Sequence, residues 1–115
     1  MKHVKCHDIV VCDAYDACMD EYLDDEGVQF LLMHINVDPD LYSVSVARKI
    51  RREWALLREC IEAPLWAIEP HFQDTKWERF VAPLGFTFSH VIDWHDGLRR
   101  MFVSLPKKFT NGRTL

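Results

Sequence analysis

The sequence has little of what marks several classes of protein. No apolar run approaches the roughly 20 residues that a membrane-spanning helix requires, so we expect no membrane partner. His and Asp interrupt the apolar residues at the start, so we expect no signal peptide. The four cysteines form no compact framework, which fits a reduced compartment. The formal charge of −4 disfavours a general nucleic-acid binder. We therefore expect a cytoplasmic protein.

Motifs for metal binding are also missing. The C-x₂-C pair that zinc sites combine with an H-x₃-H unit does not occur among the early histidines and cysteines, which are His3, Cys6, His7 and Cys12. The acids of residues 13–26 include no D-x-D-x-D-G calcium loop. We expect no metal site. We interpret these acids as a solvated face that also suits a basic partner, such as the basic helix of a second copy.

The composition is that of a globular protein. A chain of 115 residues fits one domain, and its hydrophobic fraction of 49% is too high for disorder. A chain of this size buries roughly two thirds of its unfolded surface, so it can fold without metals or disulfides. We predict a single domain over residues 1–105 and a mobile tail over residues 106–115.

The first half predicts, in order, a strand at 8–12, a helix at 14–24, a strand at 28–37 and a helix at 43–62. Asp13 is a candidate N-cap for the first helix, and Ser43 for the second. The apolar run of the second strand is nearly continuous, as in a strand covered on both faces. The second helix has a buried stripe with a period of 3.6 residues, formed by Val46, Ile50, Trp54, Leu57 and Ile61.

The second half predicts a strand at 65–69, a short helix at 75–83 and a hairpin of strands at 86–94 and 98–105. Asp74 is a candidate cap for the helix. The hairpin strands flank His95-Asp96-Gly97, and Asp-Gly is a favoured tight-turn pair. The predicted order is β-α-β-α-β-α-β-β. It indicates an α/β fold with a mixed sheet, parallel central pairs and a C-terminal antiparallel hairpin.

From residue 28 to residue 105 this order resembles the second half of the GNAT family of N-acetyltransferases. That family runs strand, V-x-P turn, long helix, strand, short helix ending in G-F, and terminal hairpin. Here the turn is Val37-Asp38-Pro39, and Gly85-Phe86 follows the short helix. The resemblance implies a GNAT-like fold, in which acetyl-CoA would sit in a V-shaped gap between the strands at 28–37 and 65–69.

The resemblance also implies a cofactor turn at the start of the long helix. In the family, glycines there let backbone N–H groups approach the pyrophosphate. Residues 41–47 read LYSVSVA, in which only Ala47 suits that pattern. We expect the branched Val44 and Val46 to occupy the phosphate positions and to weaken binding. If the cofactor binds, the implied contacts are Val37, Ser43, Val44, Ser45, Val46 and Ala47.

The proton donor of the family is missing as well. Many members carry a tyrosine four residues before the glycine of G-F, and this position is Val81 here. Residues 1–27 are too few for the family's N-terminal half in addition to the elements predicted there. We therefore expect no catalytic residue and no cofactor, with acetyl-CoA as the alternative.

One candidate partner surface is the basic cluster on the long helix, formed by Arg48, Lys49, Arg51 and Arg52 and extended by Arg58. It suits an anionic partner such as nucleic-acid phosphate or an acidic protein surface. A solvated face balanced by neighbouring glutamates is the interpretation that we favour.

The other candidate partner surface is aromatic. Strict alternation along the hairpin places Phe86, Phe88, His90, Ile92 and Trp94 on one face. If the N-terminal half of the fold is abbreviated, part of the sheet lacks its cover, and exposed aromatic surface usually marks a protein interface. We predict partner binding through Phe88, His90 and Trp94.

These features predict a non-catalytic GNAT-like protein that acts by binding other proteins or by self-association. Small GNAT-like proteins without the cofactor turn occur among bacteriophage virion and head-assembly components, and this compact chain is similar in type; it would then reside in the cytoplasm or the virion. The first alternative is a divergent acyl-CoA-dependent N-acetyltransferase. The second is a small inhibitor or nucleic-acid-associated protein that uses the basic helix.

Overall fold

The chain forms one six-stranded mixed sheet with two helices, an α+β arrangement. The structure is a computed structural model that describes residues 2–106, so all but the first residue of the predicted tail lies outside the described residues. In chain order the elements are β1 (Lys2–Val11), β2 (Tyr15–Leu23), β3 (Gln29–Val37), α1 (Val44–Cys60), β4 (Leu65–Ile68), α2 (Thr75–Val81), β5 (Thr87–Trp94) and β6 (Gly97–Ser104). Across the sheet the order is β1-β2-β3-β4-β6-β5, and β3 and β4 run parallel.

The predicted helix at residues 14–24 is wrong, because this segment is strand β2. It pairs antiparallel with β1 on one side and with β3 on the other. Tyr15 and Ala17 are buried on one face of the strand, while Asp16 between them is exposed. This alternation has the period of a strand, and pairing on both edges overrides the helical pattern of the acids. The observed order is therefore β-β-β-α-β-α-β-β.

The other predicted elements are confirmed to within a few residues at their ends, except for the first strand. Helix α1 begins after Ser43, whose Oγ accepts a hydrogen bond from the Val46 N–H at 3.2 Å. Helix α2 begins after Asp74, whose Oδ1 accepts from the Trp77 N–H at 3.0 Å. Strand β1 is much longer than the predicted strand at 8–12. The hairpin of β5 and β6 turns at His95-Asp96, as the Asp-Gly pair predicts.

Both described helices pack on one side of the sheet, which we call the front face. Ile50 and Trp54 of α1 and Val81 at the end of α2 join Leu65 and Phe102 in one core. The Trp54 ring lies 5.2 Å from Phe86, and its Nε1–H donates to the Leu84 carbonyl at 2.6 Å. We call the opposite side the back face, and none of the described helices covers it.

The predicted single face of the hairpin is also wrong. Phe88 pairs with Phe102, whereas His90 pairs with Met101, so the ladder shifts by one residue at Ser89. Such a bulge turns the following side chains to the opposite face. Phe86 and Phe88 therefore lie on the front face, and His90, Ile92 and Trp94 lie on the back face. The three residues predicted to bind a partner together do not share a surface.

Candidate functional site

A gap opens between the two parallel central strands. Pairing of β3 with β4 is confined to Leu31 with Leu65 and Leu32 with Trp66, although β3 continues to Val37. Beyond these pairs the strands diverge around a cavity of about 600 Å³. The gap thus lies at the carboxyl ends of two parallel strands, the usual place for ligands in open α/β sheets.

The walls of the gap are mainly apolar and aromatic. They include Met33, Ile35, Ala67, Trp77, Phe80, Val81, Phe86 and Trp94. A second cavity of about 560 Å³ shares Ile35, Trp77 and Phe80 with it, and reaches Tyr42, Lys76 and Arg79. A third, of about 80 Å³, joins Tyr42 and Arg79 to Ala47 and Arg51 of α1. The cavities therefore follow one another from the gap to the first turns of α1, past three basic side chains.

A histidine–aspartate pair borders the gap on the back face. His34 lines the gap, and its Nε2 lies 2.9 Å from Asp20 Oδ2. The other oxygen of Asp20 lies 3.0 Å from His3 Nε2. Burial alone would raise the pKa of Asp20, but hydrogen bonds from His3 and Cys6 and the nearby His34 outweigh it, so the pKa is lowered. The carboxylate is therefore held ionised between two imidazoles.

Glu69, at the end of β4, is buried and fully engaged. Its carboxylate accepts hydrogen bonds from the Arg100 backbone N–H at 2.6 Å, from Arg100 Nε at 3.0 Å and from the Asp74 N–H at 3.0 Å. Burial would raise the pKa of Glu69, but the bonds from Arg100 and from the backbone lower it. Glu69 therefore fixes the loop before α2 and is not free to transfer protons in the gap.

The residues implied as cofactor contacts lie as predicted at the end of β3 and the start of α1, but Val44 and Val46 do not fill the cavities. The Val44 side chain is 68% exposed, and Val46 packs against the core. Neither lines any of the three cavities described above. Ser43 and Ser45 lie on the exposed first turn, while Ala47 is buried beside Tyr42. Val81 does line the gap, so a hydrocarbon occupies that position.

The basic cluster on α1 is exposed. Arg48, Lys49, Arg51 and Arg52 all face solvent, and Lys49 lies 3.8 Å from Glu53. The expectation that Arg58 extends this cluster is wrong. Its guanidinium donates to the carbonyls of Ser104 at 2.9 Å and Ile61 at 2.6 Å, and its pKa is lowered by burial. Arg58 ties the end of α1 to the end of β6 instead.

A second surface of interest is the back face. A row of rings crosses it from β1 to β5, with centroid distances of 5.1 Å from His3 to Tyr22 and 6.4 Å from Tyr22 to Phe30. Phe30 stacks on Trp66 at 5.5 Å, and Trp66 meets His90 at 5.9 Å. Side chains of five strands thus form a continuous aromatic band on a side without a described helix.

Comparison with known proteins finds no match among protein-family models, curated proteins or solved structures. Among the described residues, no helix is both long and apolar enough to cross a membrane. Within the same range, no three His, Cys, Asp or Glu side chains are arranged to hold a metal ion. The site must therefore be interpreted from its geometry.

Sequence reasoning does not identify the polar residues of the gap. The sequence pattern places Asp20 in a helix, which hides its pairing with His34 across two strands. Glu69 and Arg100 are 31 residues apart and meet only because β4 pairs with β6. One signal is present: Glu69 is an isolated acid at the end of an apolar strand, a position that requires a buried partner.

Proposed function

We propose that this chain is a GNAT-like domain whose β3–β4 gap binds a ligand with a pantetheine-like arm, such as acetyl-CoA. The observation that carries the proposal is the loss of pairing after Leu32 and Trp66, which leaves a cavity of about 600 Å³. Ligand pockets typically have volumes of about 300–1,000 Å³ and mainly apolar walls. The position, size and lining of this gap agree with such a ligand.

The divergent strands also supply polar recognition. Beyond Leu32 and Trp66, the facing edges of β3 and β4 no longer bond to each other. Backbone N–H and C=O groups freed in this way require partners, and the amides of an extended arm can provide them. Apolar walls from Ile35 and Phe80 would pack against the methylene groups of the same arm. The gap is therefore suited to a narrow, amide-bearing ligand.

The other end of the cavities is suited to phosphate. The first N–H groups of a helix have no intrahelical acceptor, and the helix dipole favours anions there. Lys76, Arg79 and Arg51 line the two smaller cavities that lead towards α1. Val44 points to solvent and does not block this route. Without glycines at the turn, we expect the arginines and the lysine to supply most of the attraction.

Binding is proposed here without efficient acetyl transfer. An acyl-CoA supplies an activated acyl thioester, and transfer to an amine needs a group that protonates the departing thiolate. The position implied for that group is Val81, which has no proton to give. The residues that line the gap include no tyrosine, and the Glu69 carboxylate is held by hydrogen bonds from Arg100. A divergent N-acetyltransferase would have to use His34 or His95 instead.

Calorimetry with acetyl-CoA tests this proposal. We expect a Kd in the micromolar range, and a loss of at least about 10-fold in Ile35→Trp, since Ile35 lines two of the cavities. Leu56→Trp is the matched control, because Leu56 is 62% exposed on α1 and lines none of these cavities. No heat of binding from the folded wild-type chain, or equal binding by both variants, would contradict the proposal.

A second candidate function is protein binding, which the uncovered back face favours. Its aromatic band joins an apolar centre, as in many protein interfaces. A role as a structural or assembly component, including one in a bacteriophage particle, belongs to this candidate. A partner on the back face would border the gap at His34 and Trp94, whereas the two smaller cavities lie on the front side.

A further inference from the structure

We propose that two copies of this chain pair back face to back face, with a two-fold axis that runs along the strands between β3 and β4. The proposed interface borders the ligand gap, since Ile68 and Arg99 line the gap from the back face, but the inference does not rest on ligand binding. It follows from four features of the back face: its apolar centre, its polar rim, the arrangement of charge on that rim, and its area.

The centre of the back face is apolar, with Leu32 and Met101 buried beneath their neighbours and the other side chains half-buried. An antiparallel sheet with one solvated face alternates polar residues on that side. Here the three central strands place six apolar side chains there, which are Phe30, Leu32, Trp66, Ile68, Met101 and Val103. His34 and Asn36 are the polar exceptions on β3. A stripe of this kind is usually covered by another layer, and no described helix supplies that layer.

The rim of the back face is polar, with aspartates on one side and, on the other, a histidine and an arginine that also pairs with Asp96 of the turn. Asp8 on β1 and Asp16 on β2 are exposed on one side. Arg99 on β6 and His90 on β5 lie on the other side. An apolar centre inside a polar rim is the ordinary anatomy of a protein interface. The unequal charge means that the surface can complement a second copy of itself.

The strand registers fix which residues would meet. Rotation about an axis along the strands places β2 over β6 of the second copy and β1 over β5. Asp16 lies four residues from Asp20 along β2, and Arg99 lies four residues from Val103 along β6. Both lie towards the same end of the sheet. Because Asp20, Leu32, Trp66 and Val103 share one level across the sheet, Asp16 and Arg99 also share a level. The pairing therefore brings Asp16 opposite Arg99, twice in each dimer.

The same rotation matches the remaining rim. Asp8 is opposite Cys18, two residues from the level of Asp20, and His90 is opposite Met101, two residues from the level of Val103. Asp8 of one copy thus faces His90 of the other. A rotation about an axis across the strands would instead place β1 over β1 and β2 over β2, with acids against acids. Of the two axes, the one along the strands brings the acids opposite Arg99 and His90.

The area is that of a stable dimer. Six strands spaced by about 4.8 Å, with a mean length of 8 residues at about 3.3 Å per residue, cover about 750 Å² per copy. A standard interface buries about 800 Å² per partner. Two sheets packed face to face with nearly aligned strands form an ordinary sandwich about 10 Å thick. A second copy is therefore sufficient as the missing layer.

Charge exchange between two variants tests this arrangement by sedimentation velocity or light scattering. We expect the wild type to be a dimer at micromolar concentration. Asp16→Arg and Arg99→Glu should each weaken self-association by at least about 100-fold, since each creates like-charged contacts at two places in the dimer. An equimolar mixture of the two variants should restore a dimer, because the introduced arginine of one copy would then face the introduced glutamate of the other. The second contact of that mixed dimer keeps the native pair of Asp16 and Arg99.

The mixture distinguishes a contact between copies from damage within one copy. Arg99 Nη2 also bonds to Asp96 at 2.8 Å, so loss of the dimer in Arg99→Glu alone has a second cause within the turn. Restoration of the dimer by mixing cannot come from the Arg99–Asp96 contact, because that contact lies within one copy. Asp93→Arg is the control, since Asp93 is exposed on the front side of β5 and should leave the dimer unchanged.

Three outcomes would overturn the proposal. The first is a wild-type chain that remains monomeric at about 100 µM, because self-association would then be too weak for an interface of this area. The second is a wild-type dimer that Asp16→Arg leaves intact, which would place the contact elsewhere. The third is a mixture that stays monomeric after both single variants have lost the dimer. If the chain stays monomeric but binds another protein through Trp66, that protein covers the back face instead of a second copy.

Discussion

The two faces of the sheet bury their apolar side chains in different ways. On the front face, α1 and α2 seal a core in which Leu65 and Phe102 are almost inaccessible to water. On the back face, Leu32 and Met101 are also buried, yet within residues 2–106 no helix lies over them, and Phe30 stacks on Trp66 beside them. The core on the front face is sealed by helices of the same copy, whereas none of the described helices covers the back face. The difference indicates that the front face provides stability, while the back face is available for association.

The strongest test of this difference compares two tryptophans, one on each face. Trp54→Ala removes a buried ring from the front core and leaves the Leu84 carbonyl without its donor. We expect it to cost about 3–5 kcal/mol of unfolding free energy. Trp66→Ala removes a half-buried ring from the back face and should cost about 1–2 kcal/mol of unfolding free energy at low protein concentration. Urea unfolding of both variants at low concentration measures the two costs.

The control for this pair is protein concentration. If a second copy covers the back face, the cost of Trp66→Ala should grow as concentration rises, while that of Trp54→Ala should stay constant. Equal costs for both variants at low protein concentration would mean that the back face is already sealed in the monomer. That result would contradict the proposed difference between the faces.

The second test concerns the gap between β3 and β4, which opens beside the front core. Val81 lines the gap, and Val81→Tyr would place a phenol where the GNAT resemblance implies a proton donor. If acetyl-CoA binds as proposed, we expect acetyl transfer to an amine to rise by about 100-fold over the wild type, the scale of general acid catalysis. Val81→Phe is the matched control for the added ring. An equal rate in both variants would show that the hydroxyl has no role.

Much of the fold could be predicted from local patterns, and the rest depends on contacts between distant strands. The stripe of α1 and the caps Ser43 and Asp74 are local, so their elements are placed correctly. Residues 15–23 carry both an acidic helical pattern and a two-residue alternation, and only pairing with β1 and β3 decides between them. The bulge at Ser89 has no signal in the sequence, although it reverses the face of His90 and Trp94.

The candidate site shows the same division. The apolar wall at Val81 follows from its place before Gly85-Phe86, so it could be expected. The open gap could not, because it depends on where β3 and β4 stop pairing. The exposed orientation of Val44 depends on the phase of α1 relative to the sheet, which the helix pattern alone does not determine.

The third test breaks the polar clamp that holds the loop beside the gap. Glu69→Gln keeps the size of the side chain but turns an amide donor towards donors from Arg100 and Asp74. We expect a loss of about 2 kcal/mol at neutral pH, as for a buried bond to a charged group. Urea unfolding measures it, with Glu78→Gln as control, because Glu78 is partly exposed and meets Arg100 through one contact.

The pH dependence of this variant has a defined sign. The pKa of Glu69 is lowered in the folded chain, so its contribution is present above the unfolded value of about 4.3 and is lost as pH falls through the folded pKa. The difference between wild type and Glu69→Gln should therefore shrink in acid. A difference that is constant from neutral pH to acid would mean that the charge of Glu69 has no part in stability.

The smallest expected effect is at Asp20, the acid that holds two imidazoles on the back face. Asp20→Asn weakens both contacts but keeps the shape, and the partners His3 and His34 are partly exposed, so we expect a loss below about 1 kcal/mol. Because the pKa of Asp20 is lowered, this loss should be seen above about pH 4 and should vanish in stronger acid. Urea unfolding at both pH values, with the exposed Asp93→Asn as control, measures it. A loss as large as that of Glu69→Gln would contradict the view that the back face contributes little to the stability of a single copy.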